Sequence, residues 1–273
     1  MKYVLANWKM YPTLDRARRV LEAVQAGLRE RLESGHTLPR VIVCPPFVAL
    51  APLRAMADDR VVRLGAQNCH WEPHGPYTGE ISTTMLRGLV EYVMVGHSER
   101  RAAGETDEQV ARKVASVARA GLVPILCVGE DERGDAIREA EHRLRRGVSL
   151  IDVRTQPLVV VYEPSWAIGG ARAAPTEHVR RAVEHLKGVL ARLGAAEPEI
   201  LYGGSVAEDN VDELAQLEML DGVGATRATL DAAAFLRIID RVARFMHPSV
   251  ADSGPAGLAI GRPVPRATGS ERR

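Results

Sequence analysis

The sequence predicts an α/β chain folded as a single (β/α)8 barrel, and three observations carry that prediction. Short, near-continuously apolar runs alternate with longer amphipathic stretches. The alternation repeats about eight times. The chain has 273 residues, room for one such barrel of about 250 residues and a short extension.

The apolar runs lie at 3–6, 41–44, 61–66, 92–95, 123–128, 158–162, 200–202 and, weakly, 222–225. Each reads as a parallel strand buried on both faces. Between them, the stretches 14–32, 105–120, 176–193 and 231–245 carry helical spacing, as Val110, Val114 and Val117 illustrate. Strand–helix repetition implies either a parallel barrel or a doubly wound sheet, and the count of eight favours the barrel. The end of the chain is different. It is rich in Pro, Gly, Ser and Ala and lacks periodicity. Residues 1–247 therefore read as one domain, and 248–273 as a low-complexity, disordered tail.

Charge narrows the partners. Thirty-six basic residues face 35 acidic ones, a net charge of +1, which gives no reason to expect nucleic acid or an acidic membrane. The N-terminal MKYVLANWKM has no long apolar core and no cleavage site. No stretch approaches the length needed to span a bilayer. Cys44, Cys69 and Cys127 are odd in number and widely spaced, making neither a disulfide framework nor a CxxC metal pattern. Reduced thiols in a cytoplasmic chain are the simplest reading. Cys44 and Cys127 sit in apolar runs and read as small hydrophobes. Lysine is scarce, with only Lys2, Lys9, Lys113 and Lys187, and that singles out Lys9 in its apolar context.

Chemistry in such a barrel sits at the C-terminal ends of the strands, and the polar residues cluster there. Asn7-Trp8-Lys9 follows the first run, Gly96-His97-Ser98-Glu99-Arg100-Arg101 the fourth, Glu163 through Gly170 the sixth, and Gly203-Gly204-Ser205-Val206 the seventh. Glu163, at the mouth of an apolar strand, is either a base strengthened by desolvation or a salt-bridge partner for one of the many arginines. His97 precedes a polar stretch that can start a helical turn. A helix N-terminus disfavours imidazolium, so His97 is either a neutral hydrogen-bond donor or a satisfied core histidine. Lys9 is a fixed positive charge or a surface lysine. A basic carboxylate, a neutral imidazole and an ammonium together suit proton abstraction beside a carbonyl. Gly203-Gly204-Ser205, ahead of a helical stretch near Asp209, can expose backbone N–H groups to a phosphate. Residues 164–174 have a rigid Pro start and an Ile-Gly-Gly tip, the composition of a lid or of an ordinary loop.

NWKM at 7–10, AQN at 66–68, TGE at 78–80, GHSERR at 96–101, YEPSWAIG at 162–169 and YGGSV at 202–206 occur in order, one per expected strand–helix loop. In these segments the chain resembles the triosephosphate isomerase family from about residue 2 to 245. The resemblance implies a TIM barrel that isomerises a small phosphorylated ketose and aldose, with no metal and no organic cofactor. It implies Glu163 as base, His97 as electrophile, Asn7 and Lys9 as the substrate-binding pair, and Glu99 holding the lysine. Gly169 and Ser205 become phosphate donors, Gly203 and Gly204 their neighbours, and Ser98 and Ile168 supporting residues. It also implies a homodimer through the 68–80 loop. The acid–base assignment is a worked case of the general chemistry of such sites.

The eighth strand departs from the family pattern. Asp221-Gly222-Val223-Gly224-Ala225-Thr226-Arg227-Ala228-Thr229-Leu230 stands where the family reads roughly Asp-Gly-x-Leu-Val-Gly-Gly-Ala-Ser-Leu. Thr226-Arg227 thus replaces a phosphate-binding Gly-Gly, and Gly224 replaces an apolar side chain beside the base. Ser165 stands in place of the usual Val. Arg227, with His70-Trp71, is also similar to the L-erythrulose-1-phosphate isomerase branch of the family; its plainer reading is a solvent-facing substitution. Triose phosphate is the leading substrate, with the four-carbon ketose phosphate and a non-catalytic phosphate-binding barrel as alternatives.

Overall fold

Eight parallel strands close into a barrel in sequence order, β1 through β8, with β8 pairing back onto β1. The structure is a computed structural model that describes residues 2–131, 136–170 and 173–246. The expected tail, 248–273, lies outside the described residues.

The strands are β1 (Tyr3–Asn7), β2 (Arg40–Cys44), β3 (Arg63–Ala66), β4 (Tyr92–Val95), β5 (Val123–Val128), β6 (Val159–Tyr162), β7 (Glu199–Gly203) and β8 (Gly222–Ala225). The helices are α1 (Leu14–Glu33), α2 (Phe47–Arg54), α3 (Thr83–Leu86), α4 (Ser98–Ala102), α5 (Asp107–Arg119), α6 (Ala136–Gly147), α7 (Thr176–Arg192), α8 (Val211–Ala215) and α9 (Ala232–Ala243). None of the described helices is long and apolar enough to cross a membrane.

Strand periodicity sorts the side chains into two cores. Tyr3, Leu5, Ile42, Cys44, Tyr92, Met94, Ile125, Cys127, Val159, Val161 and Leu201 fill the barrel interior. Their alternates, such as Val4, Val41, Val43, Val93 and Val160, pack with the helices outside. Both faces are thus apolar, which is why the strands read as unbroken runs. The same period continues upward. It aims Asn7 after Leu5, Glu163 after Val161, Gly203 after Leu201 and Gly224 after Gly222 at the interior of the barrel mouth.

Three expected boundaries move, each for a local reason. The 61–66 run begins as a strand only at Arg63, because the N–H groups of Val61 and Val62 both bond to Asp58 O in a turn. The 105–120 helix begins at Asp107, capped by Thr106, whose side chain and that of Gln109 satisfy each other's backbone N–H groups. Glu105 is left outside the helix, buried against Lys113. The helix expected near Asp209 starts at Val211, after Ala207 N bonds to Asn210 Oδ1.

Cys44, Cys69 and Cys127 are buried and unpaired. Burial pushes the Cys44 and Cys69 thiols up to about 12, which suits core packing better than nucleophilic work.

Candidate active site

Lys9 occupies a backbone conformation that a side chain seldom accepts, with φ at 47°. Such a residue costs about 1–3 kcal/mol and persists only where its surroundings hold it. Three bonds do so here. Lys9 N donates to Asn7 Oδ1 at 3.0 Å. Gln67 Nε2 donates to both Lys9 O and Cys44 O, each at 2.9 Å. The ammonium Nζ lies 2.7 Å from Glu99 Oε1, which aims it across the mouth toward β4.

His97 is the N-cap of α4, and Gly96 before it turns the chain with φ at 76°. Its Nδ1 accepts the backbone N–H of Glu99 at 3.2 Å. A nitrogen that accepts there carries a lone pair, so the neutral ring holds its proton on Nε2. Nε2 lies 3.5 Å from Glu163 Oε2. The neutral ring in that tautomer offers its Nε2–H toward Glu163.

Glu163 is buried. Its Oε1 accepts the backbone N–H of Ser98 at 2.6 Å. Burial raises its carboxyl above the ordinary value, against the opposing pull of His97, the Ser98 N–H and Lys9. Its ion-pair contact among the described residues is His97 and not an arginine.

The segment after β6 is anchored at both ends. At its root, Ser165 N and Ser165 Oγ both donate to Glu130 O, at 2.9 and 3.0 Å, and Oγ also reaches Asp131 Oδ1. The wholly buried carboxylate of Glu130 accepts Tyr162 OH and Trp166 Nε1 on Oε1, with His178 Nε2 at 3.0 Å. Farther along, Ser205 Oγ donates to Ala167 O and Gly170 O at 2.7 and 3.0 Å. Arg227 Nη2 lies 3.5 Å from Gly169 O, and Ala174 N donates to Tyr202 OH at 2.8 Å. Five residues on or after β5, β7 and β8 (Glu130, Asp131, Tyr202, Ser205 and Arg227) therefore bond to this segment. Ile168 follows the 3-10 turn Ser165–Ala167.

The eighth strand ends beside these groups. Gly224 sits next to Gly203 in register. A Cβ built on Gly224 would stand in ordinary contact with Leu5, Gly203 and Tyr202, at 3.7–3.8 Å, so a methyl group is tolerated there. Thr226 precedes the 3-10 turn Arg227–Leu230.

Several contributors escaped the sequence reading. Glu130 and Gly129 follow β5 as a polar break after an apolar run, which was the available signal. Gln67 lay within the AQN segment without a role. Gly129 is required by close approach: a Cβ there would stand 2.1 Å from Glu163 O and 2.5 Å from Glu163 C, both backbone atoms that cannot yield. Gly129→Ala should therefore displace the end of β6. Overpacking of this kind costs about 1–3 kcal/mol, and a 1 Å shift of a reacting group costs about a hundredfold in rate. Thermal melting and kcat/KM measured together check this; a variant with unchanged values for both would contradict the close contact.

The family model described as Triosephosphate isomerase matches residues 2–242. A protein of Gloeobacter violaceus named triosephosphate isomerase is 43% identical over 245 residues, covering 88% of this chain and 98% of the relative. One from a Synechococcus strain is 41% identical over 243 residues, covering 87% and 95%. Another, from Trichodesmium erythraeum, is 39% identical over 241 residues, covering 87% and 97%. With the family model spanning nearly the whole barrel and these relatives covered almost end to end, the chain belongs to the triosephosphate isomerase family.

Proposed function

We propose that the chain interconverts dihydroxyacetone phosphate and D-glyceraldehyde 3-phosphate through an enediolate. The observation that carries this reading is the buried Glu163 carboxylate, 3.5 Å from His97 Nε2. Glu163 removes the proton from the carbon beside the carbonyl. The electron pair moves onto the carbonyl oxygen, where His97 Nε2–H donates and the Lys9 ammonium offsets the growing charge. Protonated Glu163 then returns the proton to the neighbouring carbon, while the hydroxyl and oxyanion exchange a proton through His97. Asn7 shapes the Lys9 loop. Gly169, Gly203, Gly204 and Ser205, with Thr226 and Arg227 opposite, surround the phosphate end. The family's reaction needs no metal or organic cofactor for these steps. The relatives described above give no support to the four-carbon reading, and the joined Lys9, His97 and Glu163 speak against a non-catalytic barrel.

A coupled steady-state assay in both directions tests the reading. Turnover of both triose phosphates supports it; a folded protein that converts neither contradicts it.

The functional unit is proposed to be a homodimer in the cytoplasm. Unpaired thiols support that compartment. For the dimer, Met10 is 95% exposed, Val48 77% and Met85 62%, with Tyr11 and Tyr77 also exposed. These lie on the segments following β1, β2 and β3, three neighbours in the barrel. A single edge of the mouth therefore offers apolar surface that association would remove from water. The arm at 68–80 is stiffened for docking: His70 stacks on Trp71 and meets Tyr77 at a tilt, each at 4.2 Å, and Arg112 lies over the Trp71 ring. Tyr77→Asp with Met85→Glu should shift sedimentation from dimer to monomer. An unchanged dimer would place the interface elsewhere.

A further inference from the structure

Three lid carbonyls, those of Ala167, Gly169 and Gly170, turn toward the ends of β7 and β8, and each meets a donor there. Ser205 faces two of them with one hydroxyl, whose single proton they share, from a backbone held at φ 48°. The donor to the third is the exposed guanidinium of Arg227. The Arg227 contact joins the lid tip to the strand end at which the proposed phosphate site lies.

A row of carbonyl oxygens alone would repel a dianion. A guanidinium placed among them reverses the sign of the field. It is planar and has five N–H donors on separate edges, so one edge can hold a carbonyl while another takes phosphate oxygens side by side. A peptide N–H, the donor type expected where the family has glycines, offers one bond and no charge. Gly224, before Thr226 on the same strand end, adds no side chain of its own.

We propose that Arg227 is a clasp between lid and substrate: one edge of its guanidinium stays on Gly169 O while another binds the substrate's phosphate dianion, so that phosphate occupancy fastens the lid. This rests on the isomerase reading above, but it makes a separate claim about this chain's own arginine. Arg227 is then a specificity-determining residue particular to this chain.

The experiment compares wild type, Arg227→Gln, Arg227→Lys and Arg227→Ala on D-glyceraldehyde 3-phosphate and on unphosphorylated D-glyceraldehyde. The ratio of the two kcat/KM values should fall about tenfold to a hundredfold in the Gln variant, the size of one charge-assisted bond. The Lys variant should fall less, and added guanidinium ion should restore part of the ratio in the Ala variant. Amide exchange at 168–170 should slow on adding inorganic phosphate to wild type, and not to Arg227→Gln. Equal loss on both substrates would overturn the clasp in favour of a structural role. An unchanged ratio would leave Arg227 facing solvent. If wild type turned over neither substrate, the isomerase reading would fail by itself. Weaker binding of inorganic phosphate to Arg227→Gln, by calorimetry, would still uphold the arginine's part, and equal binding would end it.

Discussion

Glu163→Gln should lower kcat by about 10²–10⁴-fold, the usual contribution of a positioned base, with little change in KM. The amide keeps the shape of the side chain and can still accept the Ser98 N–H that now bonds to Oε1 at 2.6 Å. It cannot take a proton from carbon. The loss belongs in kcat because the base acts only as the transition state forms.

The same substitution carries a second signature. Burial holds the folded Glu163 carboxyl above its ordinary value, so the folded state binds that proton more tightly than the unfolded chain does. Stability contributed by this group therefore falls as pH rises from the ordinary carboxylate range through the raised folded value. Replacing the buried anion with a neutral amide removes that cost. The melting temperature of Glu163→Gln relative to wild type should be higher at pH 8 than at pH 4. In wild type, the acidic limb of kcat/KM should lie above the range of an ordinary glutamate, since the free enzyme loses activity as the base becomes protonated. A folded Gln variant with undiminished kcat would remove Glu163 from the mechanism. A stability difference that does not vary with pH would deny the burial cost.

Lys9→Met should lower kcat/KM by about 10²–10³-fold, the range for one preorganised donor to a developing oxyanion. Methionine preserves much of the apolar stem and deletes the charge that Glu99 holds at 2.7 Å. Restoring the charge alone is insufficient if its position matters. Lys9→Arg, with a longer and planar head, should recover only part of the loss. Glu99→Gln should fall between wild type and Lys9→Met, because it releases the ammonium without removing it. Full activity in Lys9→Met would show that the enediolate is stabilised by His97 alone.

The barrel was legible because both faces of every strand are buried, so its strands stand out as unbroken apolar runs. Apolarity reports burial, however, not extension. Val61 and Val62 are buried in a turn and were read as strand for that reason. Helix starts were legible to within the caps, since Thr106 and Asp231 accept backbone N–H bonds just before α5 and α9. His97, Glu163 and Lys9 were legible as residue types at strand ends, but their partners appear only in three dimensions: Glu99 N on Nδ1, Ser98 N on Oε1, and Glu99 Oε1 on Nζ. What escaped is the network that depends on loops meeting. Glu130 reaches Tyr162, Trp166 and His178 across 32 to 48 residues of sequence. Gly129 is glycine because the backbone of Glu163 passes against it. No periodicity or spacing announces such contacts.

The central claim is that Glu163 carries a proton between adjacent carbons. Isomerisation of a triose phosphate in deuterium oxide, followed by NMR of the product, tests it most directly. A glutamic acid formed on the enzyme can exchange its proton with solvent, so the account predicts deuterium at the carbon that receives the proton, and none incorporated by Glu163→Gln. Deuterium incorporated by a folded Glu163→Gln variant at the wild-type rate would place the proton transfer on another group, and would contradict it.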